Sequence, residues 1–336
     1  MDFETADSVI KYLLENWDGK LLNISWFGGE PLLADEIIDY FSLKLSEVGV
    51  KYKSRLISNG LLLTPTILGK AKNIWNLQQV QISIDAIGEE YNNIKQYNDG
   101  IDNPFNVVME NIKHSLAEGV SIRVRINADP ENTDKSIELM HFLHKRFGVD
   151  TNFKAYFAPI DMVSEVVKPI ATEYEAKSKH PYIQLLDVER ELGYCKGNLR
   201  GKEGNFIFDE NGLATSLKLY PNSTNCYASC PNIFTIDPLG DLYKCHRVLG
   251  RGNNFSCGNI KTGIIKNDIF HFFCSVKPSL EECYDCKLMP ICQGGCKINF
   301  LEYKDIHACV PFKNVITELI LYYMNDKNKI LEQKNL

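Results

Sequence analysis

Between positions 283 and 296 the chain sets four thiols in fourteen residues, Cys283, Cys286, Cys292 and Cys296, with the spacing C-x2-C-x5-C-x3-C. Upstream stand Cys230, nine residues, Gly240, four residues and Cys245; downstream stands Cys309. A Cys-x2-Cys pair brings two sulfurs onto one metal across a tight turn. Gly294 and Gly295 add the backbone freedom needed to close around an inorganic core. Seven thiols in this order make a metal framework. Zinc suits paired Cys-x2-Cys units, and iron–sulfur clusters also take cysteines in fours, so the spacing leaves both open. Disulfides fit less well. The start, Met1-Asp-Phe-Glu-Thr-Ala-Asp, lacks the basic flank and apolar core of a secretory leader, and eleven cysteines in a reducing compartment point to metal.

The rest of the composition narrows the class. Net charge is −6, so no basic surface excess points to nucleic acid. No apolar run is long enough to cross a bilayer, and we expect a cytoplasmic protein. At 336 residues the chain can hold a large core in one or two domains.

Periodicity predicts alternating helices and strands. Helices are expected over 4–17, 33–48, 64–75, 88–97, 104–118 and 131–147, and strands over 21–27, 54–59, 79–84, 120–127 and 153–159. That alternation predicts an α/β fold with a parallel sheet and right-handed crossovers. Further helices are expected over 171–191 and 312–324. Pro238-Leu-Gly240, between short strands at 232–237 and 241–244, reads as a hairpin with Cys230 and Cys245 at its two ends.

Ligands of such sheets sit at the carboxyl ends of the strands. Here those ends carry Gly28-Gly29-Glu30-Pro31, Ser58-Asn59-Gly60, Ser83-Ile-Asp85 and Arg123-Val-Arg125-Ile-Asn127. Each alone also suits an ordinary turn or a structural ion pair. Four polar ends on one rim suit a binding site.

The cysteine pattern resembles the SPASM domain that follows the catalytic domain of many radical S-adenosylmethionine (SAM) enzymes, and fills all seven signature positions. Trp26-Phe-Gly-Gly-Glu-Pro-Leu-Leu resembles the family's GGEP motif, which contacts the amino group of SAM. Ile57-Ser-Asn-Gly, Ile82-Ser-Ile-Asp-Ala and Val124-Arg-Ile-Asn-Ala-Asp-Pro-Glu-Asn resemble its third, fourth and fifth barrel strands. The resemblance covers residues 1–310. It implies a partial (β/α)6 barrel lacking its first strand over 1–190, a linker over 191–225, a SPASM domain over 226–310 and a C-terminal helix over 311–336.

By the same resemblance, Gly28, Gly29, Glu30, Pro31, Asn59, Ser83, Asp85, Arg125 and Asn127 line the SAM or substrate cavity. Two auxiliary [4Fe–4S] clusters are implied. Cys230, Cys245 and Cys296, with Cys226 as candidate fourth ligand, hold the first; Cys283, Cys286, Cys292 and Cys309 hold the second. Cys195, Cys257 and Cys274 fall outside the pattern and are expected as buried small hydrophobes. Anaerobic sulfatase-maturating enzymes share this architecture and place an aspartate, the proposed base, after the cysteine matching Cys245. Here His246 stands there and can accept a proton near neutral pH. The implied function is a peptide or protein maturase that abstracts hydrogen with a 5′-deoxyadenosyl radical, oxidises the product through the auxiliary clusters and takes electrons from flavodoxin or ferredoxin.

One departure matters. The family carries a CxxxCxxC loop whose cysteines hold a third [4Fe–4S] cluster, the one that binds SAM. This sequence has no cysteine before Cys195. We therefore expect a truncated record of a longer enzyme, inactive as written, with an exposed apolar strand edge at 21–27 that promotes oligomerisation. The alternatives are a non-catalytic iron–sulfur protein that relays electrons or binds a peptide, and a zinc-stabilised scaffold.

Overall fold

In the computed structural model, described for residues 1–16, 19–97, 100–128, 132–148, 151–159, 181–194, 226–275, 281–286, 289 and 294–302, five strands form one parallel sheet. They are β1 (Leu22–Trp26), β2 (Tyr52–Ser58), β3 (Leu77–Ser83), β4 (Ser121–Ala128) and β5 (Phe153–Pro159), in that spatial order. All four pairings are parallel. Each expected strand is present. A sheet whose order follows the sequence needs a helical crossover at every step. Those are α2 (Asp35–Glu47), α3 (Pro65–Asn73), α4 (Gly88–Lys95) with α5 (Pro104–Ala117), and α6 (Thr133–Phe147). Before β1 lies α1 (Phe3–Asn16), whose first turn is closed by the Asp2 carboxylate accepting from the Thr5 N–H at 2.8 Å.

Local chemistry sets the helix ends. Thr64 accepts from the Ile67 N–H with Pro65 in the first turn, and Asn103 does the same for Asn106 ahead of α5. Two helices stop two residues before periodicity predicts. α4 ends where Gln96 turns left-handed at φ 45°, and α3 ends just before Trp75 swings into the core and Asn76 adopts φ 52°. The segment expected to open α2 is instead a 3-10 turn over Pro31–Ala34, with Glu30 as its cap.

The strands have one apolar and one polar face. In β4, Ile122, Val124, Ile126 and Ala128 are buried, while Ser121, Arg123, Arg125 and Asn127 are only partly covered. The apolar residues join Leu56, Val80, Ile82, Phe153 and Ala155 in a single core with helical Leu68, Met109, Ile112, Leu139 and Leu143. Parallel strands buried on both faces read as continuous apolar runs. Alternation here means helices cover one face and a polar face remains. That polar face carries Arg55, Gln79, Gln81, Ser83, Arg123, Arg125, Asn127, Lys154 and Tyr156.

The chain divides into two compact units, residues 1–160 with 184–195, and the remainder. Residues 184–191 of α7 (Pro181–Glu191) belong to the first. In the second, β6 (Thr235–Ile236), β7 (Asp241–Tyr243), β8 (Ser256–Asn259) and β9 (Gly263–Ile264) form an antiparallel sheet, followed by α8 (Asp268–Cys274) and α9 (Lys297–Glu302). The predicted helix at 312–324 and residues 171–180 lie outside the described residues. Among the described residues, no helix is long and apolar enough to cross a membrane.

Candidate functional site

The carboxyl ends of β1 to β4 are stitched together by two carboxylates. Glu30, in the turn after β1, accepts from the Ser58 hydroxyl at 2.9 Å, the Asn59 N–H at 2.8 Å and the Leu32 N–H at 3.1 Å. Asp85, after β3, accepts from the Asn127 side-chain amide at 2.8 Å and its N–H at 3.3 Å, and pairs with Lys95 at 2.8 Å. One carboxylate thus ties β1 to β2, and the other ties β3 to β4. A carboxylate offers about four lone-pair directions. Glu30 has spent three on the protein, so it positions the rim as well as offering charge to a ligand.

Tyr97 is near enough to both carboxylates to feel their charge. Burial pushes its phenol up, and the Glu30 and Asp85 carboxylates push the same way. Its hydroxyl meets that of fully buried Tyr91 at 2.9 Å. Below the rim, Tyr156 donates to the Gln81 side chain at 3.0 Å. Among the described residues, the buried Arg125 Nε has no hydrogen-bond partner. An orphaned guanidinium nitrogen under a polar rim suits an anionic or carbonyl oxygen of a bound molecule. Gly28 and Gly29 are exposed, with open space where a side chain would stand. These residues fit a small zwitterion such as SAM.

The second unit holds the thiols. β6 and β7 close a hairpin in which Gly240 adopts φ 86°. A Cβ there would lie 2.6 Å from the Ile260 side chain, which explains why the motif has glycine at this point. Gly240→Ala is expected to cost about 1–3 kcal/mol, read as a lowered urea midpoint with an unchanged m-value. An unaltered midpoint would mean that the hairpin relaxes freely.

Cys230 and Cys245 stand at the two ends of this hairpin, and the buried Lys244 ammonium donates to the Cys230 carbonyl at 2.5 Å and the Ile233 carbonyl at 2.7 Å. Burial pushes the Cys245 thiol up, and the nearby Cys226 and Cys296 sulfurs add to that. A buried thiol held above its ordinary value next to two others suits metal ligation, which removes the proton. Arg247 approaches the Cys296 sulfur at 3.6 Å. The Tyr227 hydroxyl lies 3.9 Å from the Cys245 sulfur and bonds to His246 Nδ1, the two rings stacked. Among the described residues, no three ligand side chains are close enough to hold a single metal ion. Thiols are the shared donor type here, and thiolates suit either an iron–sulfur cluster or zinc.

Residues 1–143 match the model of the radical SAM superfamily. They form a radical SAM domain. The chain is 24% identical over 316 residues to the cysteine-type anaerobic sulfatase-maturating enzyme of Clostridium perfringens, covering 88% of this chain and 78% of that protein. It is 25% identical over 274 residues to an uncharacterized protein of Methanocaldococcus jannaschii, covering 77% and 79%. In fold, it is similar to native anSMEcpe with bound AdoMet, at TM-score 0.66 and 18% identity, over 98% of this chain and 89% of that one. The same protein with AdoMet and the Kp18Cys peptide gives TM-score 0.64 at 17% identity, over 99% and 91%.

Within the radical SAM domain, Glu30, Asn59, Asp85 and Asn127 come together at the rim, with Ser83 and Arg125 on the polar face below. Pro31 opens the 3-10 turn that Glu30 caps. In the cysteine-rich unit, Cys257 is fully buried as expected, but Cys274 is only partly so, because it ends α8 where the chain leaves the core. Cys195, Cys292 and Cys309 lie outside the described residues; Cys283 and Cys286 flank a short turn. Sequence reasoning missed Tyr97, Lys244 and Tyr227. Lys244 and Tyr227 adjoin cysteines of the pattern, which was a usable signal. Nothing in the sequence marks Tyr97, because its place depends on a left-handed Gln96.

Proposed function

We propose that this chain provides the SAM- and substrate-binding body of a radical SAM enzyme that modifies a peptide or protein, with two auxiliary [4Fe–4S] clusters in its cysteine-rich unit. The observation that carries the reading is the rim: Glu30 with Asn59, and Asp85 with Asn127, form two hydrogen-bonded polar pairs at the carboxyl ends of four consecutive parallel strands. In such sheets that edge is where ligands bind. The similarity to a sulfatase-maturating enzyme supports a peptide or protein substrate. Formylglycine, thioether and carbon–carbon crosslinks are the candidate products.

When bound and reduced, SAM supplies a 5′-deoxyadenosyl radical for hydrogen abstraction, and the auxiliary clusters take up an electron. The chain's own residues hold and orient. Gly28 and Gly29 would admit the ligand closely, Glu30 would offer its remaining acceptor direction to an ammonium, and Arg125 and Ser83 would bind its oxygens. Cys226, Cys230, Cys245 and Cys296 would hold the first auxiliary cluster, and Cys283, Cys286, Cys292 and Cys309 the second. Tyr227 bonds to His246 Nδ1; in the tautomer whose Nδ1–H donates to the phenol oxygen, Nε2 is the nitrogen that would accept a substrate proton.

The absence of cysteine from residues 1–194 favours a second reading for the chain by itself, a non-catalytic iron–sulfur or peptide-binding protein. Anaerobic reconstitution separates these. We expect a brown protein with roughly eight irons per chain, four to a cluster, that binds SAM in equilibrium dialysis yet releases no 5′-deoxyadenosine. A colourless protein with stoichiometric zinc would overturn both readings. Iron-loaded protein that ignores SAM would leave only the second.

A further inference from the structure

Below the rim, the polar face of the parallel sheet is rich in hydrogen-bond donors and poor in acceptors. Arg55 on β2, Gln81 on β3, and Arg123 and Arg125 on β4 all stand on that face. The Arg55 Nε donates to the Ser25 hydroxyl. The acceptor that Arg123 finds among the described residues is the carbonyl of its neighbour Ile122, at 3.2 Å. The buried Arg125 Nε finds none there. The Gln81 amide oxygen is taken by the Tyr156 hydroxyl at 3.0 Å, which leaves the Gln81 NH2 as a further donor.

Among the described residues, no carboxylate is ion-paired with Arg55, Arg123 or Arg125. Glu189, the carboxylate that acts on Tyr156, is engaged by the Phe157 N–H at the β5 edge. Withdrawing a guanidinium from water is costly unless an anion meets it. Its planar fork of N–H donors matches a carboxylate.

One anion does not serve the whole set. Through the register Arg55 is level with Gln79 and so with Ser121, two residues below Arg123 and four below Arg125. The two ends are therefore roughly 13 Å apart along the strands and about 10 Å apart across them. A SAM carboxylate bound by Ser83 and Arg125 at the upper end leaves Arg123 and Arg55 for a second anion.

We infer that Arg55, Arg123 and the Gln81 amide bind a carboxylate of the peptide or protein substrate, so that this chain selects an acidic group near the residue it modifies. The inference rests on the reading of the rim as the SAM site and adds the charge of the substrate to it. An aspartate or glutamate side chain and a free C-terminus both supply that carboxylate. Arg123 and Arg55 are positioning and specificity residues here, since they would hold the substrate beside the reacting atoms without touching them.

The test is equilibrium dialysis of the anaerobically reconstituted full chain, with and without SAM, against three acetylated alanine peptides. One has a central glutamate and an amidated C-terminus, the second is its glutamine counterpart, and the third is the glutamine peptide with a free C-terminus. A charged peptide is expected to bind about tenfold more tightly than the neutral one. Preference for the glutamate peptide assigns a side chain to the site, and preference for the free terminus a chain end. Arg55→Gln and Arg123→Gln are expected to abolish the preference, and Arg123→Lys to keep part of it. Arg55 is exposed, so its variant carries the test even if Arg123→Gln fails to fold. SAM affinity should stay at the wild-type value in Arg55→Gln. The inference is overturned if neither charged peptide outbinds the neutral one, absence of binding included, or if the preference survives in Arg55→Gln. A fall in SAM affinity in Arg55→Gln would give the face to SAM and overturn it as well. A wild-type protein that prefers a charged peptide yet ignores SAM keeps the anion site and sinks the SAM reading beneath it.

Discussion

Glu30→Ala is expected to destabilise the parallel-sheet unit by about 3 kcal/mol and to abolish SAM binding. The carboxylate accepts three hydrogen bonds from three different donors, Ser58, Asn59 and Leu32. Bonds to a charged group contribute about 1.5–3 kcal/mol each, and donors left without a partner add their desolvation cost. The sum is held down because alanine opens a partly exposed site to water. Two of the donors are backbone N–H groups, that of Asn59 just after β2 and that of Leu32 in the turn after β1, so their loss would release both turns as well as remove a charge. Urea unfolding followed by circular dichroism reads the first effect, and equilibrium dialysis with labelled SAM reads the second. Wild-type stability in Glu30→Ala would show that the strand ends hold their places without it. Wild-type SAM affinity would remove Glu30 from the binding site.

The second large effect is a pH dependence built into the β5 edge. Glu189, on α7, accepts the Phe157 N–H at 2.6 Å. Burial raises its carboxyl to about 7, and the Phe157 hydrogen bond offsets only part of that rise. A carboxyl with a raised folded value binds its proton more tightly in the folded state than in the unfolded one. Its contribution is therefore full below the unfolded value near 4.5 and is lost as pH climbs to about 7. The loss is on the order of 1–3 kcal/mol, the lower end allowing for the part of the side chain that water reaches. Glu189→Gln keeps an acceptor for Phe157 and carries no proton to lose. It is expected to melt above the wild type at pH 8 and level with it at pH 5. Equal melting temperatures at both pH values would show that water enters and solvates the charged form.

Much of the fold could be read from the residues alone, for a local reason. In Ser121-Ile-Arg-Val-Arg-Ile-Asn-Ala the alternation of polar and apolar residues is the alternation of sheet faces, because successive side chains of a strand point opposite ways. Helix periodicity carried the same information for α5 and α6. Helix ends were read less well. α4 stops at Gln96, a residue that rarely takes the left-handed conformation, and its position follows from where Tyr91 and Tyr97 pack, not from a turn signal. Within the site, Gly28-Gly29-Glu30-Pro31 and the cysteine spacing stood out because ligand chemistry restricts which residues can occur there.

The sequence by itself determined the alternating strands and helices of a parallel α/β sheet, the polar rim and the thiol framework, since each rests on spacing along the chain. Only the tertiary structure decided what those residues touch. Glu30 meets Ser58 and Asn59 across 28 and 29 positions, and Asp85 meets Asn127 across 42. Lys244, which as a sequence letter reads as an ordinary surface charge, is buried with its ammonium on the Cys230 carbonyl. Such partnerships depend on which strand ends become neighbours and how deeply a side chain sits. Burial and long-range contact are properties of the packed chain, and no short window of sequence contains them.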